Sequence, residues 1–247
     1  MPAPTNAADT PVAIVTGAGS GVGLETTRLL ASKGWSVALA ARTREKLEAA
    51  RAALQGEGCD AGRVLVHDCD VADPDRVAGL VRATHERFGR IDALVNNAGL
   101  AALRPIDKSD PAFLQEMFAV NALGPAYAIS ACWPIFREQK RGCVVNVATK
   151  GTADPFPGFF AYAGAKASVN TFVKSVANEG KRFNIRGFSV APGAIDTPML
   201  RSMWDEKVLP SDKCLKAADV AAVIVACIEG ERDDENGETI FLLPPGA

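Results

Sequence analysis

What this sequence has little of narrows the field before any motif is read. No apolar run approaches the roughly 18 residues that a membrane-spanning helix needs, so no membrane partner is expected. Charge of one sign is missing too, with 27 Lys and Arg against 29 Asp and Glu. A nucleic-acid partner, which calls for a basic surface, is therefore disfavoured. There are two histidines, His67 and His85, and six scattered cysteines, with no Cys-x-x-Cys and no histidine at metal spacing. No metal site is expected. Cys69, Cys132, Cys143 and Cys227 lie in apolar or strand-like contexts and are expected to be buried thiols in a reducing cytoplasm. Residues 1–10 have neither a basic start nor an apolar stretch, which predicts a flexible tail rather than a secretory signal. Linkers, repeats and low-complexity segments are absent as well, so residues 11–247 are expected to form one domain.

What is present is an alternation. With 48% hydrophobic residues the chain can bury a substantial core. Short apolar runs at 12–15, 36–41, 63–67, 91–95, 143–147, 185–190 and 239–243 read as strands. Between them lie helix-period segments at 21–33, 44–55, 73–88, 110–140, 160–183 and 217–228, with a kink expected at Pro125. Continuous apolar strands suit a sheet buried on both faces. The expected fold is α/β, a doubly wound parallel sheet of about seven strands flanked by helices on both faces. Ligands of such sheets bind beyond the carboxyl ends of the strands, so chemistry should follow the strands.

It does. After the first strand comes Thr16-Gly17-Ala18-Gly19-Ser20-Gly21-Val22-Gly23, with a helix beginning inside it. Glycines there allow close approach of a pyrophosphate, and the amides opening a helix bind anionic oxygen. No Gly-Lys-Ser/Thr follows, so ATP is disfavoured and a dinucleotide expected. The second strand ends in Ala40-Ala41-Arg42, with no acid until Glu45. A carboxylate here would bind the ribose diol of NAD; an arginine accommodates the extra phosphate of NADP. NADP is therefore preferred, with NAD possible and a solvated surface role for Arg42 the bland alternative. Tyr162 and Lys166 lie four residues apart in a helical segment and share one face. An ammonium beside a phenol favours the phenolate, which would tune the tyrosine downward for acid–base work. His67 and His85 lack an orienting partner and are expected to be structural or solvated.

Assembled, these residues resemble the short-chain dehydrogenase/reductase family over nearly the whole chain, and so imply a Rossmann-like fold. Residues 16–23 match its glycine motif, Asp70-Val71 its adenine-contacting pair, and Asn96-Asn97-Ala98-Gly99 the signature lining the cofactor. The resemblance implies that Asn121 holds the active-site lysine through a helix distortion and a water, and that Tyr162 and Lys166 are the catalytic pair. Pro192, Gly193, Ile195 and Thr197 match the stretch beside the nicotinamide. It further implies ketoreductase-type hydride exchange between nicotinamide and a small-molecule carbonyl or secondary alcohol, such as a 3-oxoacyl thioester or another ketone, and a homotetramer or homodimer. One position departs: Thr149 stands where the family usually has serine. Threonine keeps the hydroxyl that hydrogen-bonds a carbonyl oxygen, although Thr152 is an alternative source. The segment 198–215 falls where relatives cover their substrate, and its Met199, Leu200, Met203 and Trp204 suit an apolar one, with Arg201 a handle for an anion. The same stripe could instead be simple packing. Rival readings are an NAD-dependent alcohol dehydrogenase and a dinucleotide sensor without turnover.

Overall fold

In the computed structural model, which describes residues 10–244 and 246, seven parallel strands form one sheet. They are β1 (Val12–Thr16), β2 (Ser36–Ala41), β3 (Val64–Asp68), β4 (Ala93–Asn96), β5 (Gly142–Val147), β6 (Ile185–Pro192) and β7 (Thr239–Leu242). Their order is β3-β2-β1-β4-β5-β6-β7, the doubly wound arrangement expected. The expected tail lies outside the described residues except for Thr10, which is buried.

The sheet is covered on both sides because its strands are apolar at successive positions. Ala13 and Val15 of β1 face one core with Leu30, Leu47 and Ile224; Ile14 between them faces the other with Leu80, Phe136 and Val176. This is the two-residue alternation of a strand sandwiched between layers. The helices carrying those residues are α1 (Gly21–Ser32), α2 (Arg44–Gly56), α3 (Pro74–Phe88), α5 (Gly124–Gln139), α6 (Phe160–Gly180) and α8 (Ala217–Glu229), joined by α4 (Pro111–Phe118) and a short α7 (Pro198–Arg201). Two start on the same chemistry, an aspartate cap followed by proline. Asp73 accepts from the N–H groups of Asp75 and Arg76, and Asp110 from that of Phe113.

The region 110–140 departs from the expected kink. The break lies ahead of Pro125, as a wide π turn over Ala119–Leu123 between α4 and α5. Asn121 sits in that turn, its Nδ2 donating to the Met117 carbonyl at 3.0 Å. Pro125 is then in the first turn of α5, where no backbone donor is required. The proline inside α5 is Pro134, which the sequence reading passed over. Among the described residues no helix is long and apolar enough to cross a membrane, and no group of acids, histidines and cysteines could hold a metal. Five cysteines are buried, Cys214 along with the four expected, and all six are free thiols.

Candidate active site

The chain reverses its direction of winding between β1 and β4, which opens a crevice at their carboxyl ends. Thr16 bolts those two ends together. Its hydroxyl donates to the Val95 carbonyl at 3.2 Å and accepts from the N–H groups of Asn97 and Ala98, each at 3.1 Å. Asn97 Nδ2 returns to the carbonyls of Thr16 and Gly17 at 2.9 and 3.2 Å. Asn96 reaches Asn146 on β5 at 2.9 Å, and Asn146 Nδ2 continues to the Val169 carbonyl of α6 at 3.1 Å. The four-residue signature thus ties three strands and a helix beneath the crevice.

A cavity of about 490 Å³ occupies it. It brings together most of the residues singled out in the sequence: Gly17, Ser20, Gly21 and Val22; Asn97, Ala98 and Gly99; Thr149, Tyr162 and Lys166; and Pro192, Gly193, Ile195 and Thr197. Five others stand outside it. Gly23 is a packing residue, since a Cβ there would lie 2.4 Å from both Asn97 Nδ2 and the Gly17 carbonyl oxygen. Val71 is buried against Gly124 at the start of α5. Arg42 and Asp70 border a second, smaller hollow of about 300 Å³, shared with Cys69, Asp73 and Arg76. Asn121 is wholly buried behind the wall, where Oδ1 accepts from Leu100 N–H at 3.1 Å and Nδ2 donates to the Leu100 carbonyl at 2.8 Å.

Gly99 is where Asn121 and Lys166 converge. A Cβ at that position would lie 3.2 Å from Asn121 Oδ1 and 3.4 Å from Lys166 Nζ. Lys166 itself is buried, and Nζ donates to the Val147 carbonyl at 2.7 Å. Here the expectation of a lowered tyrosine pKa is corrected. Burial pushes the Tyr162 phenol up to about 12, and the same burial pulls the Lys166 ammonium down to about 8. Desolvation penalises both charged forms and is the cause that moves each group, while the ammonium bonds the Val147 carbonyl.

That burial has a measurable consequence. Between about pH 8 and its ordinary value of 10.5 the folded chain holds Lys166 neutral, while the unfolded chain keeps it charged. The unfolded state then binds more protons, so the Lys166 contribution to stability rises with pH across this window, by at most about 1.4 kcal/mol per pH unit. Urea unfolding at about pH 7.5 and about pH 9.5 should show that rise in the wild type relative to Lys166→Met. The comparison isolates the lysine, because buried thiols such as Cys132, held up to about 12, act in the opposite direction in both proteins. Equal pH responses would show that Lys166 is not desolvated.

The Thr149 hydroxyl accepts the Gly151 N–H at 3.2 Å, so its own proton stays available. Thr152 is engaged elsewhere: it donates to the Thr149 carbonyl at 2.9 Å and accepts from Asn170 Nδ2 at 3.0 Å. Only Thr149 of the two lines the cavity. Arg201 is not the anion handle expected of it. Its guanidinium is held by Asp196 at 2.7 Å, the Leu209 carbonyl at 2.7 Å and Ser211 Oγ at 2.9 Å. Among the described residues the one hydrogen bond of the His67 ring is from Nδ1 to the neighbouring Asp68 carbonyl, at 3.1 Å, and His85 is exposed in the last turn of α3.

Some contributors escaped the sequence reading. Ala101 and Lys150 line the cavity without belonging to any motif, and Val208 and Leu209 join them from the 198–215 segment. Arg76 could have been found, since it lies in the first turn of a helix capped by Asp73 and so close to the strand ends.

The family model for short chain dehydrogenases matches residues 11–208. Levodione reductase of Leifsonia aquatica is 33% identical over 244 residues, covering 93% of this chain and 91% of that protein. This chain belongs to the short chain dehydrogenase family. As a member it is an oxidoreductase of the alcohol–ketone kind. Its family fold extends to solved structures. A levodione reductase crystal structure superposes with a TM-score of 0.87 at 32% identity, covering 94% of this chain and 96% of that one. An actinorhodin polyketide ketoreductase solved with NADPH gives 0.89 at 25% identity, covering 96% and 97%. The 3-ketoacyl-(acyl-carrier-protein) reductase of Brucella melitensis, solved with NADH, gives 0.87 at 26% identity, covering 94% and 96%.

Proposed function

We propose that this short chain dehydrogenase is an NADP-dependent reductase of ketones, working reversibly on the corresponding secondary alcohols. The observation that carries this reading is one cavity lined at once by the glycine turn of α1, the Asn97–Gly99 segment and the side chains of Thr149, Tyr162 and Lys166. A dinucleotide fits the residues around it. Gly17 and Gly21 have φ of 67° and 55°, which side chains avoid, and a Cβ on Gly17 would sit 2.7 Å from Asn97 Nδ2. Ser20, which caps α1, spends no side-chain hydrogen bond on the helix.

The pyrophosphate would be held by Gly17, Ser20, Gly21 and Val22, the adenine end by Asp70 and Val71, and the extra phosphate by Arg42. Lys166 and Tyr162 would hold the nicotinamide ribose, with Asn97, Ala98, Gly99, Pro192, Gly193, Ile195 and Thr197 around the ring. When bound, NADPH supplies the hydride. This chain's own part is the proton. Tyr162 keeps its proton at neutral pH and delivers it to the oxygen that gains electrons. Thr149, its oxygen already oriented by Gly151 N–H, donates a hydrogen bond to the same oxygen. Asn121 and Lys166 flank Gly99 on the path for proton resupply. The apolar residues exposed on α4 to α6, Phe118, Leu123 and Phe160, would be covered by a second copy in a homodimer or homotetramer.

Loss of nicotinamide absorbance with NADPH and a ketone panel tests the reading. Thr149→Ser should keep kcat within a few-fold, because the hydroxyl survives. Thr149→Val should lose about a hundredfold or more, the usual effect of removing one such donor. A Thr149→Val protein as active as the wild type would remove Thr149 from the reaction.

A further inference from the structure

The reading above leaves the shape of the substrate open, and the wall of the cavity bears on it. Four rings run in contact away from Tyr162. Its ring meets Phe159 edge-on at 5.1 Å, Phe159 stacks on Phe156 at 4.3 Å, and Phe156 meets Trp204 edge-on at 6.1 Å. Gly151 permits the close seat of Phe159, since a Cβ there would lie 3.1 Å from that ring and 3.5 Å from Thr149 Oγ1. Phe159 is 5% exposed but Phe156 is 50% exposed, so Phe156 has one face stacked on Phe159, an edge contact with Trp204, and half of its surface uncovered.

Phe156 and Phe159 belong to the segment between β5 and α6, whereas Trp204 belongs to the segment after α7. Their contact therefore joins the two stretches of chain that frame the cavity. Met199, Met203, Val208 and Leu209 complete the lid side. Cations are scarce along this wall. Arg201 is consumed by Asp196, Leu209 and Ser211 and does not line the cavity. Lys150 does line it, but directly after Thr149, at the carbonyl end.

We propose that the substrate is a compact, uncharged ring ketone whose ring lies against Phe156 and Trp204, and that these two residues select rings over extended acyl thioesters. This rests on the ketone-reductase reading. Rigid aromatic walls offer large apolar area to a flat or chair-shaped ring, beyond what area burial alone supplies. A thioester on a long phosphorylated arm needs an open path and a cation at its far end. Here Phe156 and Trp204 join the two segments that frame the cavity, and the lid arginine is already engaged.

Binding can be read without turnover, because a protein saturated with oxidised dinucleotide cannot reduce a ketone. Calorimetric titration in that state should give 2-tetralone a Kd at least about tenfold below that of acetoacetyl-CoA. Phe156→Ala and Trp204→Ala should each weaken 2-tetralone by about fivefold to tenfold while leaving 2-butanone within about twofold. Tighter binding of the thioester, or equal loss for every ketone in the variants, would overturn the proposal. Turnover assays judge the other reading separately. A 2-tetralone that binds as described yet is never reduced with any dinucleotide would refute ketone reduction and leave the ring selectivity standing. A thioester that binds more tightly and is reduced would do the reverse.

Discussion

Tyr162→Phe is expected to cut ketone reduction by about a hundredfold to ten-thousandfold, the range for removal of a positioned general acid. The phenol is 9% exposed and its ring packs against Phe159, so phenylalanine fits the same space and the fold should be unaffected. Dinucleotide affinity should stay within a few-fold, since the glycine turn, Lys166 and the Asn97 segment are untouched. The pH dependence carries a second signature. With the phenol pushed up to about 12 by burial, it is fully protonated at neutral pH, ready to act as an acid but not as a base. Reduction should therefore be flat in pH through neutrality, while oxidation of the alcohol should climb with pH as the phenolate becomes accessible. Rate profiles of wild type and Tyr162→Phe in both directions check this. Retained turnover in the variant would remove Tyr162 from the chemistry.

Arg42→Ala is the second large effect, and it acts on selectivity rather than rate. Arg42 is exposed beside the smaller hollow, and no hydrogen bond or ion pair engages its guanidinium among the described residues. A hydrogen-bonded contact to a charged group contributes about 1.5–3 kcal/mol, so NADPH should bind about tenfold to a hundredfold more weakly in the variant. NADH, which lacks that phosphate, should change by less than about threefold. Fluorescence titration with both reduced dinucleotides measures it. Relatives of the same fold have been solved with NADPH and with NADH, so the fold alone does not choose. If the wild type prefers NADH, the carboxylates of Asp70 and Asp73 govern the hollow instead of Arg42.

How much of this was legible in the sequence depends on how local the cause is. Seven strands could be read because each is a short apolar run, buried on both faces in the five central ones and half-buried in β3 and β7, and their ends fall within a few residues of the expectation. The glycine turn, the Asn97 segment and the Tyr162–Lys166 pair could be located because the first two directly follow strands and the third shares a helix face. The π turn is half legible: Asn121 stands out, but proline chemistry points to Pro125, two residues past the end of the turn. Its cause is a side chain bonding to Leu100 across 21 residues, which no local pattern contains. The lysine–tyrosine electrostatics failed for a similar reason. Spacing on a helix predicts that two groups share a face, but not that the Val147 carbonyl of a neighbouring strand captures one of them. Arg201 is the third case, an exposed-looking charge in sequence that the lid folds around.

That lid also has its own boundary. Its two feet stand side by side: Ile195 pairs with Leu215 in an isolated parallel bridge, Leu215 N–H donates to the Ala194 carbonyl at 2.8 Å, and Asp196 N–H donates to the Leu215 carbonyl at 3.0 Å. Above the feet, Arg201 gathers Asp196, Leu209 and Ser211, and Ser211 reaches on to Glu206 at 2.9 Å. The segment is thus closed by its own bonds before it touches the sheet. Closing a loop twice as long between fixed feet costs only about 0.6 kcal/mol more. For protein engineering this is a cassette: residues 198–213 should tolerate lengthening or exchange for another lid while the feet, Thr197 and the proton chemistry below them stay where they are.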